Sequence, residues 1–229
     1  MKPAFLVPGT LCDGRVFGDL VDRLGIPIIA DYSAFSSVRD AAVALLPTVP
    51  RGSLGISFSL GGWILLELLR LDPDRFEAVV LISGNAHPDG PENAVNRRAR
   101  VARARADGFQ AVFAEEWDGA LGPLHRDDPV IQAAIVDMAD TAGHDSHARQ
   151  AEINISRPDF RGFVSNPPCS IHVIAGAQDG LCPQDRYESA AAGPRSRLKV
   201  IEGAGHYVAL ENKAALAAYV QAHFQEYLK

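Results

Sequence analysis

Leu54-Gly55-Ile56-Ser57-Phe58-Ser59-Leu60-Gly61-Gly62-Trp63 is the stretch whose reading decides the fold. Leu54 to Ile56 reads as a short buried strand. Trp63, Leu65, Leu66, Leu68 and Leu69 follow as a helix that is apolar nearly all round. A helix with no polar face belongs deep against a sheet. Between the two the chain must reverse sharply. A serine held at such a strand-to-helix turn needs small residues two positions away on each side, because larger side chains collide as the backbone doubles back. Ser57 and Gly61 meet that need around Ser59. A register centred on Ser57 would leave Gly61 and Gly62 in the helix interior, at a cost of about 1 kcal/mol each relative to alanine. The Ser59 register gives Gly61 a function and lets Gly62 bring the helix close to the sheet. Ser59 is therefore expected at the apex with its hydroxyl exposed, and Ser57 as the small last residue of the strand. A serine that merely caps a helix is the ordinary alternative, so the rest of the chain must decide.

Outward from this turn, short apolar runs alternate with helical patterns, the signature of a parallel sheet covered by helices. Ala4 to Val7, Ile26 to Ala30, Leu54 to Ile56, Ala78 to Ile82, Ile171 to Ala175 and Leu198 to Ile201 read as six strands. Helices are expected over Arg15 to Leu24, Val38 to Leu46 and the C-terminal stretch, where Leu216, Val220 and Phe224 recur at four-residue spacing. Between the fourth and fifth strands lie about 85 residues without a strand, far more than one crossover helix requires. Residues 85–168 are thus expected to form an inserted helical lobe, with the core built from 1–84 and 169–229. The first lobe helix is expected to bury a stripe of Val95, Ala99, Ala102, Ala106 and Phe113. Arg97, Arg98, Arg100, Arg103 and Arg105 would occupy its other faces as a solvated surface; an anion site facing the substrate is the alternative.

The totals permit this. The 229 residues, 47% of them hydrophobic, can fill one core without a disulfide or metal staple. A formal charge of -6 argues against a nucleic-acid surface. Cys12, Cys169 and Cys182 match no zinc or redox spacing and read as free thiols of a reducing compartment. The Met-Lys-Pro start lacks a secretory signal, and no segment approaches eighteen uninterrupted apolar residues. A cytoplasmic protein with no membrane partner is expected.

Two further segments give Ser59 its partners. The fifth strand ends in Gly176-Ala177-Gln178-Asp179, and open α/β sheets place their sites at such strand ends. Asp179 could accept a hydrogen bond from a histidine and fix its tautomer; a turn-forming Asp before Gly180 is the plainer reading. The sixth strand ends in Glu202-Gly203-Ala204-Gly205-His206, where flanking glycines leave His206 free to swing toward a neighbouring strand end. Each signal is weak alone. Together they follow the order Ser, Asp, His, each just past a strand of one sheet. After the first strand, Pro8-Gly9-Thr10-Leu11-Cys12-Asp13-Gly14 could supply one N–H donor to an oxyanion, from Thr10 or Leu11; Leu60 would supply the other.

These segments together resemble the α/β-hydrolase superfamily, over about residues 3 to 227 but with little of the lobe. Arg157-Pro158-Asp159 resembles small bacterial esterase-like members. Two features depart from the pattern: Ser57 replaces the usual glycine, and the family's N-terminal strand pair is lacking. The resemblance implies a doubly wound, mostly parallel sheet and a helical cap over the site. It also implies a serine esterase acting on a small to medium-sized carboxylic ester through an acyl-enzyme, without cofactor or metal. Two other functions fit the same scaffold. One is a triad-dependent lyase or C–C bond hydrolase like some menaquinone-pathway relatives, which bind acidic substrates through cap arginines. The other is a non-catalytic receptor for a small molecule. Three further features are set aside. His144 and His147 read as polar lobe surface, His172 as a core or sheet-face residue, and Cys12 as a bystander beside the first loop.

Overall fold

The computed structural model describes residues 1–229. Six strands, β1 (Pro3–Val7), β2 (Ile26–Ile29), β3 (Ser53–Phe58), β4 (Phe76–Ile82), β5 (Ser170–Gly176) and β6 (Ser196–Ile201), form one sheet in the order β2-β1-β3-β4-β5-β6. Every neighbouring pair is parallel. In chain order the helices are α1 (Leu20–Arg23), α2 (Val38–Leu45), α3 (Gly61–Leu71), α4 (Asn93–Asp107), α5 (Phe109–Ala114), α6 (Trp117–Ala120), α7 (Pro129–Ser156), α8 (Arg161–Val164), α9 (Gln184–Ala190), α10 (Val208–Glu211) and α11 (Lys213–His223).

Alternation along the strands sorts the core into two layers. Ala4 and Leu6 of β1 join Leu20, Leu216 and Val220 on one face. Phe5 and Val7 join Ala41, Ile64, Leu65 and Tyr187 on the other. Helices therefore cover both faces, and α3 is buried from Gly61 through Leu69. From β1 the chain first runs outward to β2 and then returns to β3 on the opposite side of β1. The strand order reverses at that point, which is where open α/β sheets leave a crevice at their C-terminal edge. Val7 pairs with Ser57 there, so the loops after β1 and β3 are neighbours.

Several local expectations need correcting. Arg15 to Leu24 is not one helix: a short 3-10 turn over Gly14–Phe17 ends at Gly18 (φ 55), where an added Cβ would meet the Ala209 carbonyl at 2.7 Å. In the lobe, α4 does not bury Val95, Ala99, Ala102 and Ala106; all four are exposed, Val95 at 73%. Its inward side carries Ala104 with Arg97 and Arg100. Those guanidinium groups are matched by carboxylates of neighbouring segments, so their alkyl stems can pack inward. Gly108 (φ 83) ends α4, and Phe113 thus belongs to α5, outside the stripe assigned to it. Within α7, Gly143 (φ 77, ψ 167) breaks the helix into two limbs. His147 lies buried on the second limb rather than on the lobe surface. No helix is long and apolar enough to cross a membrane.

Candidate active site

Ser59 follows β3 with φ 47, a left-handed conformation that costs a residue bearing a Cβ. The turn is held from both sides: Ser59 N–H donates to the Ile82 carbonyl (2.9 Å), and Gly62 N–H to the Ser59 carbonyl (2.9 Å). Gly61 is obligatory, since a Cβ there would lie 2.1 Å from the Val7 carbonyl oxygen. Gly62 is not, contrary to the role expected for it, because a Cβ there meets nothing closer than 3.7 Å. Ser57 is buried within β3, which runs one residue further to Phe58, and its hydroxyl donates to the Val80 carbonyl at 3.3 Å.

Across the edge of the sheet, His206 Nε2 lies 3.0 Å from Ser59 Oγ and His206 Nδ1 lies 2.7 Å from Asp179 Oδ2. The three side chains expected from the loops after β3, β5 and β6 are thus brought together. Close backbone approach makes this possible. A Cβ on Gly176 would lie 2.0 Å from the Gly205 carbonyl oxygen, and one on Gly205 would lie 2.6 Å from Gly122 N. The Asp179 carboxylate is almost wholly buried, at 1% exposure. It also accepts from Leu181 N–H (2.8 Å), Cys182 N–H (3.1 Å) and the Tyr187 hydroxyl. The turn reading and the histidine-partner reading of Asp179 therefore hold together. Burial opposes ionisation of Asp179. The His206 ring and the hydrogen bonds from His206, Tyr187 and Leu181 outweigh it, holding the carboxyl below the usual range.

The first loop reaches the same place. Thr10 lines the cavity containing Ser59, and neither Thr10 N–H nor Leu60 N–H donates to an acceptor of the chain. Leu11 differs: with φ 58 its N–H turns to Gln150 Oε1 of α7 at 2.7 Å. Of the two first-loop donors considered, Leu11 is engaged by the lobe and Thr10 is open. Asn154, one turn beyond Gln150, donates to Thr10 Oγ1 at 3.1 Å. The Cys12 thiol donates to the Thr10 carbonyl (3.3 Å), and burial pushes its pKa up, which suits a bystander.

The cavity above Ser59 measures about 560 Å³. Phe58, Trp63 and Tyr207 supply apolar wall, and α4 contributes Arg97 and Arg100. The arginine run of α4 is therefore divided. Arg98, Arg103 and Arg105 pair outside with Glu152, Glu115 and Asp145, while Arg97 and Arg100 face inward. Arg100 also donates to His147 Nε2 (2.9 Å), which requires a neutral ring. Burial, reinforced by Arg100, His144 and Arg105, lowers the His147 pKa to about 3. His172 sits on β5 with Nδ1 2.8 Å from the Tyr219 hydroxyl and does not line this cavity.

Some contributors carried no sequence signal of their own. Ser83, just past β4 with φ 50, donates to the His206 carbonyl at 2.5 Å. Glu211 Oε2 accepts from Gly205 N–H (2.9 Å) and Gly122 N–H (2.7 Å). Gln150, Asn154 and Tyr187 each lie on a helix whose register against the first loop or β5 is set only by the tertiary fold. Arg157 stood within the quoted Arg-Pro-Asp, yet its salt bridge to Asp89 (3.2 Å) and its stacking over Trp63 (4.3 Å) depend on residues distant in sequence.

A parallel sheet, a strained serine at the strand-to-helix turn and a histidine between that serine and a buried carboxylate define an α/β-hydrolase. The sequence pattern of the alpha/beta hydrolase family matches residues 5–219, and the chain belongs to that family. Solved structures agree in fold. A thermophilic esterase from Thermogutta terrifontis superposes with a TM-score of 0.83 at 21% identity, covering 100% of this chain and 91% of that one. MenH from S. aureus gives 0.77 at 15%, covering 98% and 94%. A carboxylesterase structure from the thaumarchaeon Nitrososphaera gargenis gives 0.73 at 15%, covering 98% and 90%. No curated protein matches the chain by sequence.

Proposed function

We propose that the chain hydrolyses carboxylic esters with Ser59 as nucleophile, His206 as base and Asp179 as the group that orients the base. One observation carries this reading: the continuous contact from Ser59 Oγ to His206 Nε2 (3.0 Å) and from His206 Nδ1 to Asp179 Oδ2 (2.7 Å). With Asp179 ionised, Nδ1 carries the proton and Nε2 accepts from the serine hydroxyl. Ser59 Oγ attacks the acyl carbon while His206 takes its proton. The negative charge that develops on the carbonyl oxygen is met by Thr10 N–H and Leu60 N–H, the second also at the N-terminus of α3. His206 returns the proton to the leaving alkoxide and then activates the water that releases the acyl group. Esterases among the structurally similar proteins support the choice of ester over other acyl compounds.

The test joins turnover to labelling. Saturable hydrolysis of p-nitrophenyl esters is expected, with a serine-reactive phosphonate labelling Ser59 alone by peptide mass spectrometry. Ser59→Ala should abolish the label and lower kcat by several orders of magnitude. Label on Ser57, or an active Ser59→Ala protein, contradicts the assignment.

A second reading, a lyase or C–C bond hydrolase using the same three residues, is favoured by Arg97 and Arg100 facing the cavity and by the likeness to MenH. Labelling of Ser59 together with no turnover across the ester panel would select it.

A further inference from the structure

Arg97, Arg100, Arg157 and Arg186 all line the cavity that holds Ser59, against two carboxylates, Asp89 and Glu116. Their pairing is uneven. Glu116 takes Arg100 alone, through two bonds of 2.5 and 2.8 Å. Asp89 serves two cations, Arg97 at 2.5 Å and Arg157 at 3.2 Å. Arg186, on α9 just past Pro183, is half-buried, and its guanidinium makes neither an ion pair nor a hydrogen bond with the chain. Four cations against two carboxylates leave two positive charges uncompensated, in a chain whose net charge is -6.

The surplus is concentrated on one side of the cavity. Arg157 is 7% exposed at its side chain, and its Nε is buried without an acceptor. Burial lowers its pKa to about 10; Asp89 opposes that shift, and Arg97 and Arg186 add to it. Arg157 is thus close enough to both Arg97 and Arg186 to be repelled by each, with Asp89 the single carboxylate paired to Arg97 and Arg157. Such a group is stabilised by an anion that completes it, and the planar guanidinium fork matches a carboxylate in two-pronged fashion. Low-dielectric walls strengthen the attraction for an incoming anion.

We propose that this side of the cavity is an anion subsite, and that the substrate is an ester bearing a free carboxylate received by Arg186 with Arg157 and Arg97 behind it. Asp89 remains inside the cluster and repels a second negative charge, so a carboxylate suits the subsite better than a phosphate dianion. The proposal takes its reaction from the ester-hydrolase reading, but binding of the carboxylate stands apart from turnover. The trio is assembled from three regions, α4, the segment after α7 and α9, so no single stretch of sequence displays it.

The experiment compares mono-p-nitrophenyl adipate with p-nitrophenyl hexanoate, two esters of equal chain length that differ in the terminal carboxylate. Wild-type kcat/KM should favour the adipate about tenfold or more after subtraction of spontaneous hydrolysis. Arg186→Gln should reduce that ratio about tenfold, and Arg186→Lys, which keeps the charge, should reduce it less. Calorimetry on the Ser59→Ala protein, with monomethyl adipate and methyl hexanoate, reads the subsite without catalysis and should show the same preference. Equal kcat/KM and equal affinity for the two members of each pair overturn the proposal, as does a preference that Arg186→Gln leaves intact. Selective binding without turnover of either ester sinks ester hydrolysis and upholds the subsite; turnover without selectivity does the reverse.

Discussion

At the residue scale, Asp179 has the most demanding surroundings in the site. Its Oδ2 meets both His206 Nδ1 and the Tyr187 hydroxyl, while Oδ1 takes two backbone N–H groups. Every one of these partners donates, so the side chain is selected as an ionised acceptor. Asp179→Asn places an amide among donors and offers His206 the wrong tautomer. A fall in kcat of roughly 10⁴ is expected with the fold retained. Steady-state kinetics on a variant with wild-type circular dichroism checks this; near wild-type turnover would remove Asp179 from the relay. The meeting of Ser59, Asp179 and His206 at one edge of the sheet was legible because each sits one short loop past an apolar run. Tyr187 was not, because its contact depends on how α9 folds back onto β5.

At the scale of the element, the β3–α3 turn shows which glycine matters. Both Gly61 and Gly62 look costly in a helix by propensity, yet only Gly61 lies hard against backbone, the carbonyls of Val7 and Pro8. Gly61→Ala must push α3 away from β1 and should cost about 1–3 kcal/mol, the usual penalty of overpacking. It should also lower kcat, because the Leu60 N–H moves with the helix start. Gly62→Ala makes only ordinary van der Waals contacts and should hold or raise Tm, since alanine is favoured in a helix by about 1 kcal/mol. Thermal melts of the two variants check this, and an equal loss in both would refute the geometric distinction. The lobe is where the period of the sequence misled. On α4 Val95, Ala99, Ala102 and Ala106 face solvent and Arg97 and Arg100 face inward, because Asp89 and Glu116 supply acceptors from segments no local pattern reveals. Hydrophobic periodicity finds the buried face only where the partner surface is apolar.

For the whole molecule, the question is what joins the helical insertion to the sheet. Gly180 N–H donates to the Gly119 carbonyl (2.8 Å), and His206 N–H to the Ala120 carbonyl (2.8 Å). Between them Glu211 bridges Gly122 of the insertion and Gly205 of the His206 loop through one oxygen. Its other oxygen is buried without a partner. Burial raises the Glu211 pKa, against the lowering effect of the two backbone N–H groups and of His125. A carboxyl whose folded pKa lies above its unfolded value of about 4.5 binds more protons in the native state over that interval. Its contribution is therefore full below about pH 4.5 and is lost as pH rises through the folded value. Glu211→Gln keeps an acceptor for both glycines and does not titrate. Its Tm relative to wild type should accordingly rise between about pH 4.5 and 8. Glu211→Ala instead leaves two buried N–H groups unpaired, at about 1–3 kcal/mol each. It should lower Tm at every pH and slow turnover by loosening the loop that carries His206. Melting curves of the three proteins across that range, with kcat at one pH, decide the matter. A Gln variant whose Tm offset from wild type stays constant with pH would show that Glu211 bridges the seam already ionised, without the burial penalty argued for it.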